Sequence, residues 1–247
     1  MLRSYANARL FGETYGEGPV RVVWLHGWAR RGTDFEVAAR TLAARGVASV
    51  ALDLPGFGAT PAPIEPGGAR DYATLVLPAL EELASAPLVL VGHSFGGTVA
   101  TVVAARRPAL VRALVLAGSP LLRSPKGPSP LAYRAVRWGH AHGVLSDDRL
   151  ERARQKYGSS DYRRAEGVMR DVLVASVNES YEAELTALRT PVELLWGQED
   201  TEVPVEVARR AATMISGERL TVLAGVGHLV PSEAPDALVD AVTRVLA

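Results

Sequence analysis

LVLVGHSFGGTVA, residues 88–100, is an apolar run, then the turn Gly92-His93-Ser94-Phe95-Gly96, then a helix-forming stretch. The pattern G-x-S-x-G alone would arise by chance in about one in ten chains of this composition, so its setting carries the weight. A nucleophile on a strand-to-helix turn needs a strained backbone, and glycines two residues to either side remove the Cβ atoms that would collide there. Such a turn lifts Ser94 Oγ above a sheet edge. The helix that follows aims its free N–H groups and positive dipole end at the same point, where an oxyanion would form.

Outward from this turn, short apolar runs recur at Arg21–Leu25, Val47–Asp53, Leu88–Gly92, Ala113–Ala117, Val192–Trp196 and Leu220–Leu223. Helix-period segments separate them: Thr33–Arg45, Asp71–Ser85, Ser94–Arg107, Pro204–Ser216 and Pro231–Leu246. Unbroken apolar strands alternating with helices predict an α/β protein with a mainly parallel sheet covered on both faces. The alternation lapses between Pro120 and Pro191, where helical patterns such as Asp147–Tyr157 and Arg163–Val177 occur. A structureless loop that long is improbable in a compact domain, so the expectation is a core from 1–120 and 191–247 with a helical cap at 121–190. Arg123–Pro130, rich in proline, reads as the hinge into the cap.

Serine needs a general base, and the chain has five histidines. His26 follows the first buried strand, His93 adjoins the serine but would point away from it, and His140 and His142 fall in the cap. His228 remains, in LAGVGHLVPSE, on the loop between the last strand and the last helix. Asp200 in WGQED ends another strand 28 residues earlier and gives the chain order Ser, Asp, His. Glu199 is its neighbour and competitor; only one of the two can face the histidine.

The composition narrows the function classes. The 27 Lys+Arg balance 27 Asp+Glu, which supplies no global field to hold a nucleic acid. With no cysteine there is no disulfide framework, thiolate nucleophile or cysteine-based metal site. Charges and glycines interrupt the first 18 residues where a signal peptide needs an apolar run, and no stretch approaches the roughly 20 apolar residues of a membrane span. A cytoplasmic protein, monomer or homodimer, without cofactor or metal, is the expectation.

LHGW at 25–28, DLPGFG at 53–58, GHSFGG at 92–97, GQED at 197–200 and GVGHLV at 225–230 occur in this order. On these motifs the chain resembles the α/β-hydrolase superfamily over roughly residues 15–120 and 190–247. The resemblance implies a mostly parallel sheet with a helical cap inserted after the sixth strand, and a Ser94-His228-Asp200 triad. It further implies an oxyanion hole from the backbone N–H groups of Trp28 and Phe95, whose side chains would line the acyl pocket. His26 and Asp53 read better as loop-shaping residues than as an acid or base. Serine at the elbow speaks against the dehalogenase and epoxide-hydrolase branches, which use aspartate there. HGW and DLPGFG are similar to the carboxylesterases that cleave pimeloyl-carrier-protein methyl ester.

The expected activity is hydrolysis of a small or medium acyl ester, a small-molecule substrate, through an acyl-enzyme. The alternatives are a ligand-sensing protein that keeps the fold with little turnover, and lyase, perhydrolase or C–C hydrolase chemistry on the same triad. Trp28, Phe95, Leu121, Tyr133, Trp138, Met169 and Leu229 are the expected pocket walls. The cap holds 12 Lys+Arg against 9 Asp+Glu, so Arg163 or Arg164 could meet an acidic part of a substrate; the alternative is a solvated helical face.

Overall fold

The computed structural model of the chain describes residues 1–123, 131–157 and 160–247. Eight strands form one sheet: β1 Leu2–Tyr5, β2 Leu10–Tyr15, β3 Val20–Leu25, β4 Ala48–Asp53, β5 Leu88–His93, β6 Val111–Ala117, β7 Val192–Gly197 and β8 Glu218–Leu223. Their order is β1-β2-β4-β3-β5-β6-β7-β8. β3 to β8 pair in parallel, whereas β2 runs antiparallel to both β1 and β4. The six apolar runs of the sequence are β3 to β8. The β1–β2 hairpin was not expected, because the first three residues of β1 are exposed and its turn contains no glycine. Ala6, Asn7 and Ala8 make that turn instead, all with positive φ.

Alternate residues of each buried strand face opposite layers. Val23 and Leu25 of β3 join the core under helices α2 Ala69–Leu83 and α3 Phe95–Arg106. Val22 and Trp24 face the other layer, built from α1 Glu36–Ala44 and the C-terminal helix Pro235–Leu246. Trp24 packs on Phe35 there, ring centroids 5.1 Å apart. Helix α2 starts two residues before the expected Asp71, because Asp71 Oδ2 accepts the Gly68 N–H at 3.0 Å and so closes the first turn.

Between β6 and β7 lie α4 Leu131–Ala141, α5 Asp147–Tyr157, α6 Ser160–Arg164, α7 Gly167–Ser176 and α8 Glu182–Ala187. The single helix expected over Arg163–Val177 is two, divided where Gly167 takes φ +52°. The hinge expected at Arg123–Pro130 lies outside the described residues beyond Arg123. The last part of this segment is tied to the sheet core: Tyr181, Leu185 and Leu188 share the core of α2 and α3. Arg70 of α2 forks onto Glu184 of α8 at 2.6 and 2.9 Å and donates to the Ser180 carbonyl at 2.9 Å. After β7 come α9 Val205–Ala212 and, beyond β8, α10 Val230–Glu233 and α11 Pro235–Leu246. One helix was expected over Pro231–Leu246; it breaks at Ala234, which Pro235 forces out of helical geometry to φ −142°, ψ 57°.

The order β4-β3-β5 places the reversal of strand order between β3 and β5. Crevices at such a switch point, beyond the C-terminal strand ends, are where open α/β sheets bind ligands. Trp28 follows β3 and Ser94 follows β5.

Candidate active site

Ser94 is half-buried at the end of β5, with φ 49° and ψ −118°, a conformation that L-residues rarely hold. Its N–H donates to the Ala117 carbonyl at 2.9 Å, and its own carbonyl accepts from Gly97 at 3.0 Å. The flanking glycines are sterically required. A Cβ on Gly92 would stand 2.4 Å from Gly97 Cα, and one on Gly96 would stand 2.1 Å from the Leu25 carbonyl oxygen. Both obstacles are backbone. Gly96→Ala is therefore expected to lose about 3 kcal/mol or more, read as a lowered urea midpoint; a stability equal to the parent's would remove the steric account.

Asp200 and His228 come from the loops after β7 and β8. His228 Nδ1–H donates to Asp200 Oδ2 at 2.8 Å, and Asp200 Oδ1 accepts the N–H groups of Glu202 and Val203 at 2.9 and 2.8 Å. Each carboxylate oxygen is thus engaged, and the Asp200 side chain is fully buried. Glu199, its sequence competitor, is exposed. Gly118, with φ +52°, passes under the pair: a Cβ there would stand 3.2 Å from both Asp200 Oδ2 and His228 Nδ1. Burial pulls the His228 pKa down, but the hydrogen bond and charge of Asp200, with Glu202 and Glu233 behind, more than offset it and leave the imidazole above its ordinary value.

His228 Nε2 lies 3.5 Å from Glu202 Oε2, and no hydrogen bond joins it to Ser94 Oγ. The two loops are linked through His93 instead. Its Nε2–H donates to the His228 carbonyl at 2.9 Å, and the two rings are 4.9 Å apart. Burial, then the nearby His228 charge, push the His93 pKa down to about 3, so it is a neutral strut. The sequence placed His93 pointing away from the serine but missed this link, which no local pattern encodes.

His26 and Asp53 shape loops. His26 is fully buried, donates from Nδ1 to the Gly27 carbonyl at 2.7 Å and accepts the Leu54 N–H on Nε2 at 2.9 Å. Desolvation lowers its pKa, in keeping with that neutral form. Asp53 accepts from Gly32 and Ala59 N–H groups, both at 2.8 Å.

A cavity of about 300 Å³ opens beside Ser94, walled by Trp28, Phe95, Pro120, Leu122, Leu173, Val177, Tyr181 and Val203, with Arg123, Asp161, Glu179 and Glu202 contributing charge. Phe95 packs edge-on against Tyr72 and Trp28, at 4.9 and 5.9 Å. Trp28 also borders an adjoining cavity of about 330 Å³ with Phe57, Arg164 and Met169.

Four expected walls are elsewhere. Leu121 is turned into the sheet core with no exposure, and its neighbour Leu122 faces the cavity. Trp138 is 63% exposed, stacks on His142 and borders neither cavity. Tyr133 packs against Tyr157, and Leu229 is half-buried next to His228 without bordering either cavity. Arg163 borders neither cavity, and Arg164 shares its cavity with Asp161 and Glu166. Glu202 went unnoticed in the sequence, although it stands two residues after the expected acid. Among the described residues no group of three or more His, Asp or Glu side chains could hold a metal ion, and no helix is long and apolar enough to cross a membrane.

The family model described as the alpha/beta hydrolase family matches residues 22–241, which hold both loops and the elbow. The chain belongs to this family. Within it, the chain is 38% identical over 137 residues to a pimeloyl-[acyl-carrier protein] methyl ester esterase of Chromobacterium violaceum, covering 56% of this chain and about half, 48%, of that enzyme. It is 30% identical over 211 residues to the uncharacterized hydrolase YugF of Bacillus subtilis, covering 76% of each. Among solved structures, an esterase from Exiguobacterium antarcticum superimposes with a TM-score of 0.76 at 20% identity, over 100% of this chain and 99% of that one. At that identity the likeness establishes the hydrolase fold.

Proposed function

We propose that this alpha/beta hydrolase is a serine carboxylesterase that cleaves a small or medium acyl ester through an acyl-enzyme on Ser94. The observation that carries the proposal is the buried Asp200–His228 pair, 2.8 Å apart, at the same sheet edge as a strained Ser94 that borders an apolar cavity. Asp200 holds Nδ1–H, which leaves Nε2 as the basic nitrogen. That nitrogen takes the proton of Ser94 Oγ as the oxygen attacks the ester carbon, returns it to the departing alcohol, and then activates a water to release the acid. The Ser94–His228 hydrogen bond tightens as the substrate seats, as contacts of this kind do on the way to the transition state.

The negative oxygen of the tetrahedral intermediate is received by the backbone N–H groups of Trp28 and Phe95. Neither donates to another group among the described residues, so both are available. Each such donor contributes roughly 3–4 kcal/mol to the transition state. They come from the two loops that flank the reversal of strand order, which is why the oxyanion site falls where it does. Residues 121–190 act as the cap over this edge and supply Leu122, Leu173, Val177 and Tyr181 to the wall, and the adjoining cavity with Met169 extends it. The name of the Chromobacterium relative, a methyl ester esterase, agrees with ester chemistry.

Turnover of p-nitrophenyl acetate and butyrate tests the reading; a rate no higher than that of Ser94→Ala would end it. The pH profile is a second test. The base must be neutral to act, and its pKa lies above the ordinary histidine value near 6.5, so the acid limb of kcat/KM is expected above pH 6.5. Glu202→Gln removes one of the charges that raise it and should move the limb to lower pH. A limb below 6.5, or one unmoved by Glu202→Gln, would contradict the assignment of His228 as the base.

A further inference from the structure

The charge of the cavity beside Ser94 departs from the basic cap that composition suggested. Its described charged wall residues are Arg123, Asp161, Glu179 and Glu202. Glu179 is committed to the protein: Oε2 accepts the Ala69 N–H and the Tyr181 hydroxyl, both at 2.8 Å, and Arg70 lies 3.7 Å from Oε1. Arg123 is exposed and donates to Asn178 Oδ1 at 3.3 Å. Glu202 is different, because its carboxylate reaches the working end of the imidazole, 3.5 Å from His228 Nε2, and its side chain borders the cavity while remaining 66% exposed.

On the esterase reading, His228 Nε2 is the atom that protonates the leaving oxygen. A carboxylate beside that atom lies next to the first bonds of the alcohol half of the substrate, not at the acyl end. Asp161, which borders the same cavity, adds a second negative charge. We infer that the cavity selects esters whose alcohol carries an ammonium group within a few bonds of the ester oxygen, and disfavours those that carry a carboxylate there. Specificity of this kind is both attractive and repulsive: the same two carboxylates that hold a cation raise the barrier for an anion. The inference rests on the esterase reading and adds to it the sign of the substrate's charge and the half of the substrate that bears it.

The test compares butyrylcholine, its uncharged carbon isostere dimethylbutyl butyrate, and the anionic butyryl glycolate at low ionic strength and a pH above the acid limb. The expected result is a kcat/KM about tenfold higher for the cation than for the neutral ester, about 1.4 kcal/mol, and about tenfold lower for the anion. Raising the salt to about 1 M should compress both ratios, because Glu202 is exposed to solvent. Glu202→Gln should cut the cation-over-neutral ratio at least threefold, and Asp161→Asn should cut it less. The ratio, not the absolute rate, is read, so that the effect of Glu202 on the base cancels. Equal rates for the three esters, a fastest anion, or a ratio that survives Glu202→Gln would overturn the inference and leave the esterase reading standing. Hydrolysis of none of them, the neutral ester included, would overturn the esterase reading and this inference with it.

Discussion

Ser94→Ala is expected to lower kcat on p-nitrophenyl butyrate by about six orders of magnitude, the cost of removing the nucleophile from a triad that acts as a unit. The substitution isolates chemistry from folding. Alanine keeps the Cβ, so the strain of φ 49° is common to both residues, and the backbone hydrogen bonds of Ser94 to Ala117 and Gly97 do not involve the hydroxyl. The urea midpoint should therefore shift little while turnover falls to a residue supplied by the oxyanion donors and binding alone. A variant that loses less than about a hundredfold would mean that Ser94 is not the attacking group.

The second large effect is expected at Asp200. Asp200→Asn keeps the shape but offers an amide where a carboxylate held the histidine, which favours the wrong tautomer and withdraws the charge that stabilises the imidazolium. A loss in kcat of about 10⁴-fold is expected. Two backbone N–H groups, of Glu202 and Val203, point at Oδ1, so the asparagine must place its carbonyl oxygen there and present its NH₂ to the histidine. Glu199→Gln is the matched control: Glu199 is exposed, and its loss should change kcat less than about threefold. Steady-state kinetics on the two variants would separate the neighbours, and a larger loss at Glu199 would reverse the assignment.

The sequence made the site legible where chemistry and sterics force residue types. Gly92 and Gly96 are glycine because the backbones of Gly97 and Leu25 leave no room for a Cβ, and that necessity is what the G-x-S-x-G pattern records. Strands β3 to β7 were legible because burial on both faces demands unbroken apolar runs, and β8, the half-exposed edge strand, through its shorter run Leu220–Leu223. The β1–β2 hairpin was not, since a half-exposed edge pair carries little periodicity and its turn uses Ala6, Asn7 and Ala8 where glycine would have signalled it. Trp138 shows the limit for residues 121–190. An aromatic residue on an amphipathic helix reads as a pocket wall, but which neighbour the helix faces is decided by tertiary packing, and Trp138 finds His142. Glu202 and His93 were invisible as partners of His228 because no motif marks either residue for that contact.

The account stands on Ser94 being a nucleophile activated by His228 and Asp200. Labelling with a fluorophosphonate, followed by intact mass and peptide mapping, tests this most directly, because the reagent strongly prefers a serine so activated. The prediction is one adduct per chain, on the peptide containing Ser94, formed rapidly by the wild-type protein, slowed strongly in Asp200→Asn and absent in Ser94→Ala. No adduct on the folded wild-type protein, or an adduct on a different residue, would contradict it.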